Sequence, residues 1–385
     1  MRHTLMALCD TSPKRGVMST LSSAASLVAP LTASQIARFK RDGFLVLPGV
    51  IDPEMCRQAR EEMWAVLSTK CPRMKRDDPA TWLPFTTDEA AHYQNPAEDD
   101  GFPSFFAVGH RFYIRNGTDD LMLDLAPRAL WGVAEQLLGK DEVVWPAGLD
   151  PSGFATGPCF MSDDLMEVLW GPETEKWPST PLYTTEPVFR IPKSGPVWAN
   201  GQGTRGLYCT LPNSPSPGPN WLGTGEPGSG AHSDGTCYGP VRLQIAAYID
   251  DLPPASGGFT VWPGSHIRIW EEQWKAFLKT GETHAGRRER VRTAGGYEAL
   301  PEPIFEQVKA DTRPVDTHGP AGTIVLWHTK ILHMPGQNTS QDVIRQATIY
   351  GYIKTQASLS DAMAMDNTIG DIWRDWSDEV RSVPG

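Results

Sequence analysis

With 385 residues and a mass of 42.4 kDa, the chain can bury a large core, as one big domain or two modest ones. Its hydrophobic content of 40% and charged content of 21% are those of an ordinary soluble globular protein. A net charge of −11 argues against nucleic acid and anionic membrane surfaces as partners, since both are held by basic contacts. No apolar run approaches a membrane span. The 34 prolines, 36 glycines and 14 tryptophans suit a β-rich fold with long ordered loops. Cys9, Cys56, Cys71, Cys159, Cys209 and Cys237 are scattered without a CxxC pair, which reads as reduced thiols in a cytoplasmic setting.

The first thirty residues are rich in Ser, Ala and Thr, with Arg2, Lys14 and Arg15 against Asp10. That is the composition of a flexible extension and equally of an organelle-targeting peptide. Order is expected from Leu31. Thr32 and Gln35 make a capping box, Leu31 and Ile36 can staple it, and Gly43 stands where a glycine stops a helix. Phe44-Leu45-Val46-Leu47 predicts a strand. Asp52-Pro53 then starts a second helix, with Met55, Ala59, Met63, Val66 and Leu67 on one face.

Residues 70–118 show no clear period and include the basic cluster Arg73, Lys75, Arg76, either a solvated face or a lure for an anionic substrate. A helix is expected from Ala126 to Leu138, closed by Gly139. The Pro-, Gly- and Trp-rich stretch 146–230 reads as short strands plus a lid over a shaped pocket. Val241 to Ile249 and Phe259 to Trp262 are strand-like, the latter ending in the turn Pro263-Gly264-Ser265-His266. An Arg-rich helical insertion is expected over 268–310, followed by strands at Thr323–Trp327 and Gln346–Ile353.

In the tail, 356–385, Ile372, Trp373, Trp376 and Val380 recur at helical spacing. They would pack on the domain or on a second subunit, making a homodimer. Many short strands without βαβ alternation predict a mainly β fold with flanking helices. The expected core is a double-stranded β-helix (jelly-roll, cupin-like) over 31–355.

The motif that carries chemistry is His232-Ser233-Asp234. Residues two apart on a strand point to one side, so both side chains can reach one metal ion. A distant imidazole would complete two His and one carboxylate on one face of iron, leaving positions open for a co-substrate and O₂. His333 fits, because it follows the apolar pair Ile331-Leu332 and precedes a Pro-Gly turn; His328, at the end of a strand, is the rival. Arg345 supplies a fork for the far end of a dicarboxylate.

Three segments in order then resemble the phytanoyl-CoA dioxygenase family of Fe(II)- and 2-oxoglutarate-dependent oxygenases. They are Phe39-Lys40-Arg41-Asp42-Gly43-Phe44-Leu45-Val46-Leu47-Pro48-Gly49-Val50, Gly257-Gly258-Phe259-Thr260-Val261-Trp262-Pro263-Gly264-Ser265-His266, and Leu332-His333 with Pro335-Gly336-Gln337-Asn338 and Arg345. The resemblance implies His232, Asp234 and His333 as iron ligands and Arg345 on the C5 carboxylate of 2-oxoglutarate. Tyr248 falls near the position of an aromatic beside the co-substrate.

It further implies oxidation of a C–H bond of a small organic molecule, with release of succinate and CO₂. A carboxylate at 234 argues for hydroxylation, because related halogenases carry a small residue there to admit chloride. Desaturation, ring closure and epimerisation belong to the same chemistry. Pro335 stands where relatives often have a small hydroxyl residue, which leaves a second carboxylate contact unassigned. Two other readings remain: a non-catalytic jelly-roll metal-binding or interaction protein, and a metal-dependent hydrolase or isomerase, which would not need Arg345.

Overall fold

The structure is a computed structural model; it describes residues 29–86, 88–89, 104–115, 130–140, 142–143, 207–214, 231–233, 242–280, 303–353 and 371–385. The expected lid 146–230 lies largely outside these residues, as does most of the Arg-rich part of 268–310.

The first helix, α1 (Ala33–Asp42), begins and ends where its local signals put it. Thr32 accepts from the Gln35 amide, the Gln35 side chain returns the bond, and Gly43 closes the helix at φ +82°. The next elements are β1 (Phe44–Leu47) and α2 (Pro53–Lys70), the latter capped by Asp52. The hairpin β2 (Ser104–Val108) and β3 (Arg111–Arg115) follows, then α3 (Trp131–Leu138) and β4 (Leu207–Thr210). Next come β5 (Arg242–Tyr248), β6 (Phe259–Val261), α4 (Ser265–Thr280), α5 (Pro303–Asp311) and β7 (Val315–Asp316). The series ends with β8 (Ile324–His328), β9 (His333–Pro335), β10 (Arg345–Ile353) and α6 (Asp378–Ser382).

The strands form a seven-stranded sheet, β1-β8-β5-β10-β4-β3-β2, and a three-stranded sheet, β7-β6-β9. All described pairings within them are antiparallel. Side chains alternate between two faces, as the period of a strand requires. Leu45, Ile245, Ala247 and Leu326 point outward onto α1, α2 and α3. Ala246, Tyr248, Val325, Trp327 and Ala347 point inward, where Phe259 and Val261 of the small sheet meet them. The outer face of the small sheet is covered by Ile269 of α4 with Ile304, Phe305 and Val308 of α5. The described parts of the expected helical insertion, α4 and α5, therefore cover one side of the small sheet.

The two sheets are tied together by one hydroxyl network. Tyr248 accepts from the Phe259 amide at 2.8 Å and lies 2.6 Å from Thr317 Oγ1, which itself donates to the Phe259 carbonyl at 2.7 Å. A carbonyl only accepts, so the Thr317 proton is committed and the Tyr248 hydroxyl must donate to Thr317. Burial pushes the Tyr248 phenol up to about 12, so it keeps that proton. Tyr248→Phe should cost about 1–3 kcal/mol, because it strands the buried Phe259 N–H and the Thr317 oxygen. The check is a urea midpoint that falls while the slope is unchanged.

A second knot explains why the first and central motifs occur together. The His266 ring lies against Gly43, where a Cβ would come within 2.5 Å of Nδ1, and its Nε2–H donates to the Lys40 carbonyl at 2.9 Å. His266 is thus structural, and only glycine fits at 43. Beside it, His328 faces outward and stacks on Trp376 at 5.2 Å.

Burial lowers His266 to about 4 and depresses His328 as well. Both are neutral when folded; the contribution of His266 is complete above the ordinary value of 6.5 and is lost as pH falls through about 4, and that of His328 is lost in the same direction. For His266 the gap corresponds to roughly 3 kcal/mol. His266→Gln should flatten the fall in stability between those pH values, measured by denaturant melts across that range.

The tail departs from expectation in form. Among residues 371–385 only Asp378–Ser382 is α-helical, and the residues before it are turns. Trp373 and Trp376 still converge, packing edge-on and tilted against Phe39 at 5.9 and 5.4 Å, and Val380 is buried. Trp373, Trp376 and Val380 thus pack on their own domain, the first of the two destinations expected for them.

Candidate iron and 2-oxoglutarate site

β9 is placed by the turn that precedes α4. Trp262 donates its amide to the Leu332 carbonyl, and Ser265 Oγ accepts the Leu332 amide at 2.8 Å. Leu332 therefore faces the α4–α5 side and His333 the interior. Close strand approach needs glycines at two points here. A Cβ on Gly258 would fall 1.8 Å from the Thr317 carbonyl oxygen, and one on Gly336 2.2 Å from that of Gly258.

His232 and His333 face each other as a reciprocal main-chain pair, each amide donating to the other's carbonyl at 2.9 Å. Directly opposite residues project to the same side, and the two imidazoles lie 4.4 Å apart between centroids. The His333 ring is packed by Phe259 at 5.0 Å and Trp327 at 5.8 Å. Its Nδ1 lies 2.9 Å from the Ile331 carbonyl, so Nδ1 carries the proton and the lone pair is on Nε2. Such an outer hydrogen bond sets the tautomer of a metal-binding imidazole. His328 is on the opposite face, accepting the Lys330 amide at Nδ1. Asp234 lies outside the described residues, and among the described residues no three His, Cys, Asp or Glu side chains form a metal-binding group.

Arg345 opens β10 and is 7% exposed. It points inward over β4, donating to Thr210 Oγ1 at 3.0 Å and to the Tyr208 carbonyl at 3.3 Å. Asn338 holds this corner: its Nδ2 donates to the Thr210 and Val343 carbonyls and its Oδ1 accepts from Ser340. Gly257 fits beneath, since a Cβ there would meet those of Asn338 at 3.1 Å and Arg345 at 3.4 Å. The Gly-Gly and Gly-Gln-Asn motifs thus position the arginine. Tyr248, paired with Ala347 two residues along β10, lies on the same inner face.

Thr210 was not singled out by sequence reasoning. It is a hydroxyl residue beside the arginine fork, a role that Pro335 cannot fill, and only the pairing Arg345↔Thr210 reveals it. Of the basic cluster, Arg73 pairs with Glu89 and Arg76 with Glu61, which is the solvated-face alternative.

Two interior imidazoles facing each other are donors that iron accepts, and the buried Arg345 is a fork that suits a carboxylate. The chain belongs to the phytanoyl-CoA dioxygenase (PhyH) family, whose pattern matches residues 39–347. It is therefore a non-haem iron enzyme that uses 2-oxoglutarate and O₂.

No curated protein sequence matches the chain. Among solved structures, the carbocyclase SnoK from nogalamycin biosynthesis aligns at 14% identity and a TM-score of 0.40, over 84% of this chain and 86% of that one. AviO1 from Streptomyces viridochromogenes Tue57 aligns at 15% and 0.40, over 84% and 95%. EctD from S. alaskensis, solved with 2-oxoglutarate and 5-hydroxyectoine, aligns at 14% and 0.37, over 85% and 77%. No helix among the described residues is long and apolar enough to cross a membrane.

Proposed function

We propose that the protein hydroxylates a C–H bond of a small organic molecule, with His232, Asp234 and His333 holding iron and Arg345 holding 2-oxoglutarate. The observation that carries this reading is the reciprocal His232–His333 pair opening onto the same interior as Arg345. When bound, iron would let O₂ serve as the oxidant of two molecules at once, one oxygen atom ending in succinate as 2-oxoglutarate loses CO₂ and the other in the new hydroxyl group.

The chain's own residues supply the geometry. His333 presents Nε2 in a fixed tautomer, because Ile331 holds the proton on Nδ1. Arg345 offers a bidentate fork to the distal carboxylate, and Thr210 Oγ1 is the second contact. Tyr248 walls the co-substrate with its ring, its hydroxyl being committed to Thr317. Phe259 and Trp327 keep water from the inner side of His333. A carboxylate at 234 completes the ligand set and favours hydroxylation. A reducing, cytoplasmic setting suits the buried thiols of Cys56, Cys71 and Cys209.

The test is anaerobic addition of Fe(II) and then 2-oxoglutarate to the metal-free protein. A weak visible charge-transfer band is expected, vanishing on admission of O₂ as succinate is released. Iron binding without the band would remove 2-oxoglutarate from the site, and absence of iron binding would leave a non-catalytic jelly roll.

A further inference from the structure

On β5 the outward side chains Leu243, Ile245 and Ala247 alternate with the inward Ala246 and Tyr248, so Gln244 also faces inward. Its cross-strand partner on β8 is Trp327, itself inward-facing and 2% exposed. Gln244 Oε1 and Trp327 Nε1 are both buried, and neither has a hydrogen-bond partner among the described residues. On its other side Gln244 pairs with Gly351 of β10, which brings no side chain to the row. A buried acceptor and a buried donor thus stand on neighbouring strands, next to a position that a glycine leaves bare.

A buried amide oxygen or indole N–H that makes no bond costs the fold its whole desolvation, and proteins leave few such groups. Two of opposite sense on adjoining strands are what a site shows when its bonds are completed by a ligand. Their place in the molecule says which ligand. The Trp327 ring lies 5.8 Å from that of His333. From Arg345 to Gly351 along β10 is about 20 Å at the rise of a strand, well beyond the length of a five-carbon diacid. 2-Oxoglutarate held at Arg345 therefore does not reach this row, which belongs to the other occupant of the interior.

We propose that Gln244 and Trp327 bind a neutral hydroxyl or carboxamide group of the molecule that is oxidised. Such a group accepts from the indole N–H and donates to the amide oxygen, so it answers both atoms at once. A carboxylate offers acceptors alone and would set a negative oxygen against Gln244 Oε1. The inference rests on the reading of His333 as an iron ligand and of Arg345 as the 2-oxoglutarate fork. It deepens that reading by giving the substrate class as a neutral compound bearing a hydroxyl or amide. Gln244 and Trp327 are then binding residues that fix one polar group beside His333 and so select which C–H bond is presented.

The probe is acetamide, which carries both a donor and an acceptor, with acetate as its anionic counterpart. Each is titrated into metal-free protein with isotope-labelled tryptophan indoles, and Trp327→Phe identifies the Trp327 N–H resonance by its loss. Acetamide is expected to move that resonance saturably, and acetate to bind at least about tenfold more weakly. Gln244→Met removes the acceptor and keeps the length of the side chain; acetamide should then bind at least about tenfold more weakly. Without probe, the urea midpoint of this variant should equal or exceed that of the unaltered protein, because the folded chain loses no bond.

No saturable movement with acetamide would overturn the proposal, as would unchanged affinity in Gln244→Met. Equal binding of acetate would make the pair two donors and overturn the neutral class. A lower urea midpoint in both Gln244→Met and Gln244→Leu would show that the amide already serves the fold, and this too would overturn it. Should Trp327→Phe fail to fold, the unaltered protein and Gln244→Met decide between them, through the indole resonance whose response is lost. These readouts need neither iron nor 2-oxoglutarate. A protein that binds acetamide here and never gives the visible band keeps the polar site and loses only the oxygenase reading.

Discussion

Replacing His333 by Ala is expected to strip the protein of iron and of turnover while leaving it folded. The substitution removes an interior imidazole whose tautomer is fixed by the Ile331 carbonyl. Loss of an outer-shell partner of a metal ligand typically costs 10–100-fold in affinity, so loss of the ligand itself should cost at least about 100-fold. The fold has reason to survive. The His232–His333 pairing is made by main-chain groups that Ala retains, and the vacated volume is bordered by Phe259 and Trp327, which belong to both sheets. Iron content after anaerobic loading and the visible band with 2-oxoglutarate read the effect, with the melting curve as control. A variant that loads iron normally would sink the ligand assignment.

Arg345→Leu should separate the two halves of the site. Truncating one member of a buried charge pair costs about 2–5 kcal/mol, so 2-oxoglutarate affinity should fall on the order of 100-fold or more, with iron affinity little changed. Leu fills much of the same space, but it leaves Thr210 Oγ1 and the Tyr208 carbonyl without the guanidinium. The test is the 2-oxoglutarate dependence of the band at fixed iron. Unchanged dependence would mean that another cation holds the carboxylate.

How much of this could be seen in the sequence depended on whether the signal was local. The caps of α1 and α2 involve residues three apart or adjacent, so Thr32, Gln35, Gly43, Asp52 and Pro53 read directly. β8 is legible as an unbroken apolar run and β5 as a nearly unbroken one, because both faces of these central strands are covered. The β2–β3 hairpin was missed although Val108-Gly109-His110-Arg111 is a two-residue loop with Gly109 at φ +52°. Its apolar flanks are short, and Arg111 looks like a surface residue until its strand is placed.

Thr210 illustrates the deeper limit. Its meaning comes from a register joining strands about a hundred residues or more apart in the chain, and no local pattern encodes such a register. β4 is also only four residues long and sits in a Pro- and Gly-rich stretch. The tail shows the converse case. Ile372, Trp373, Trp376 and Val380 have helical spacing, yet turns followed by a short helix deliver the tryptophans to Phe39 just as well.

The reciprocal amide–carbonyl pair between His232 and His333 has a bearing on how the protein acquires metal. If these two residues hold iron as proposed, each imidazole springs from a backbone position that its partner already defines, so two of the ligands are placed before the ion arrives. Metallation should then be a late event, reversible in the finished protein and repeatable after oxidative loss. The iron content of a purified sample would report supply and redox history, and depleted protein should recover on simple reloading without passing through an unfolded state.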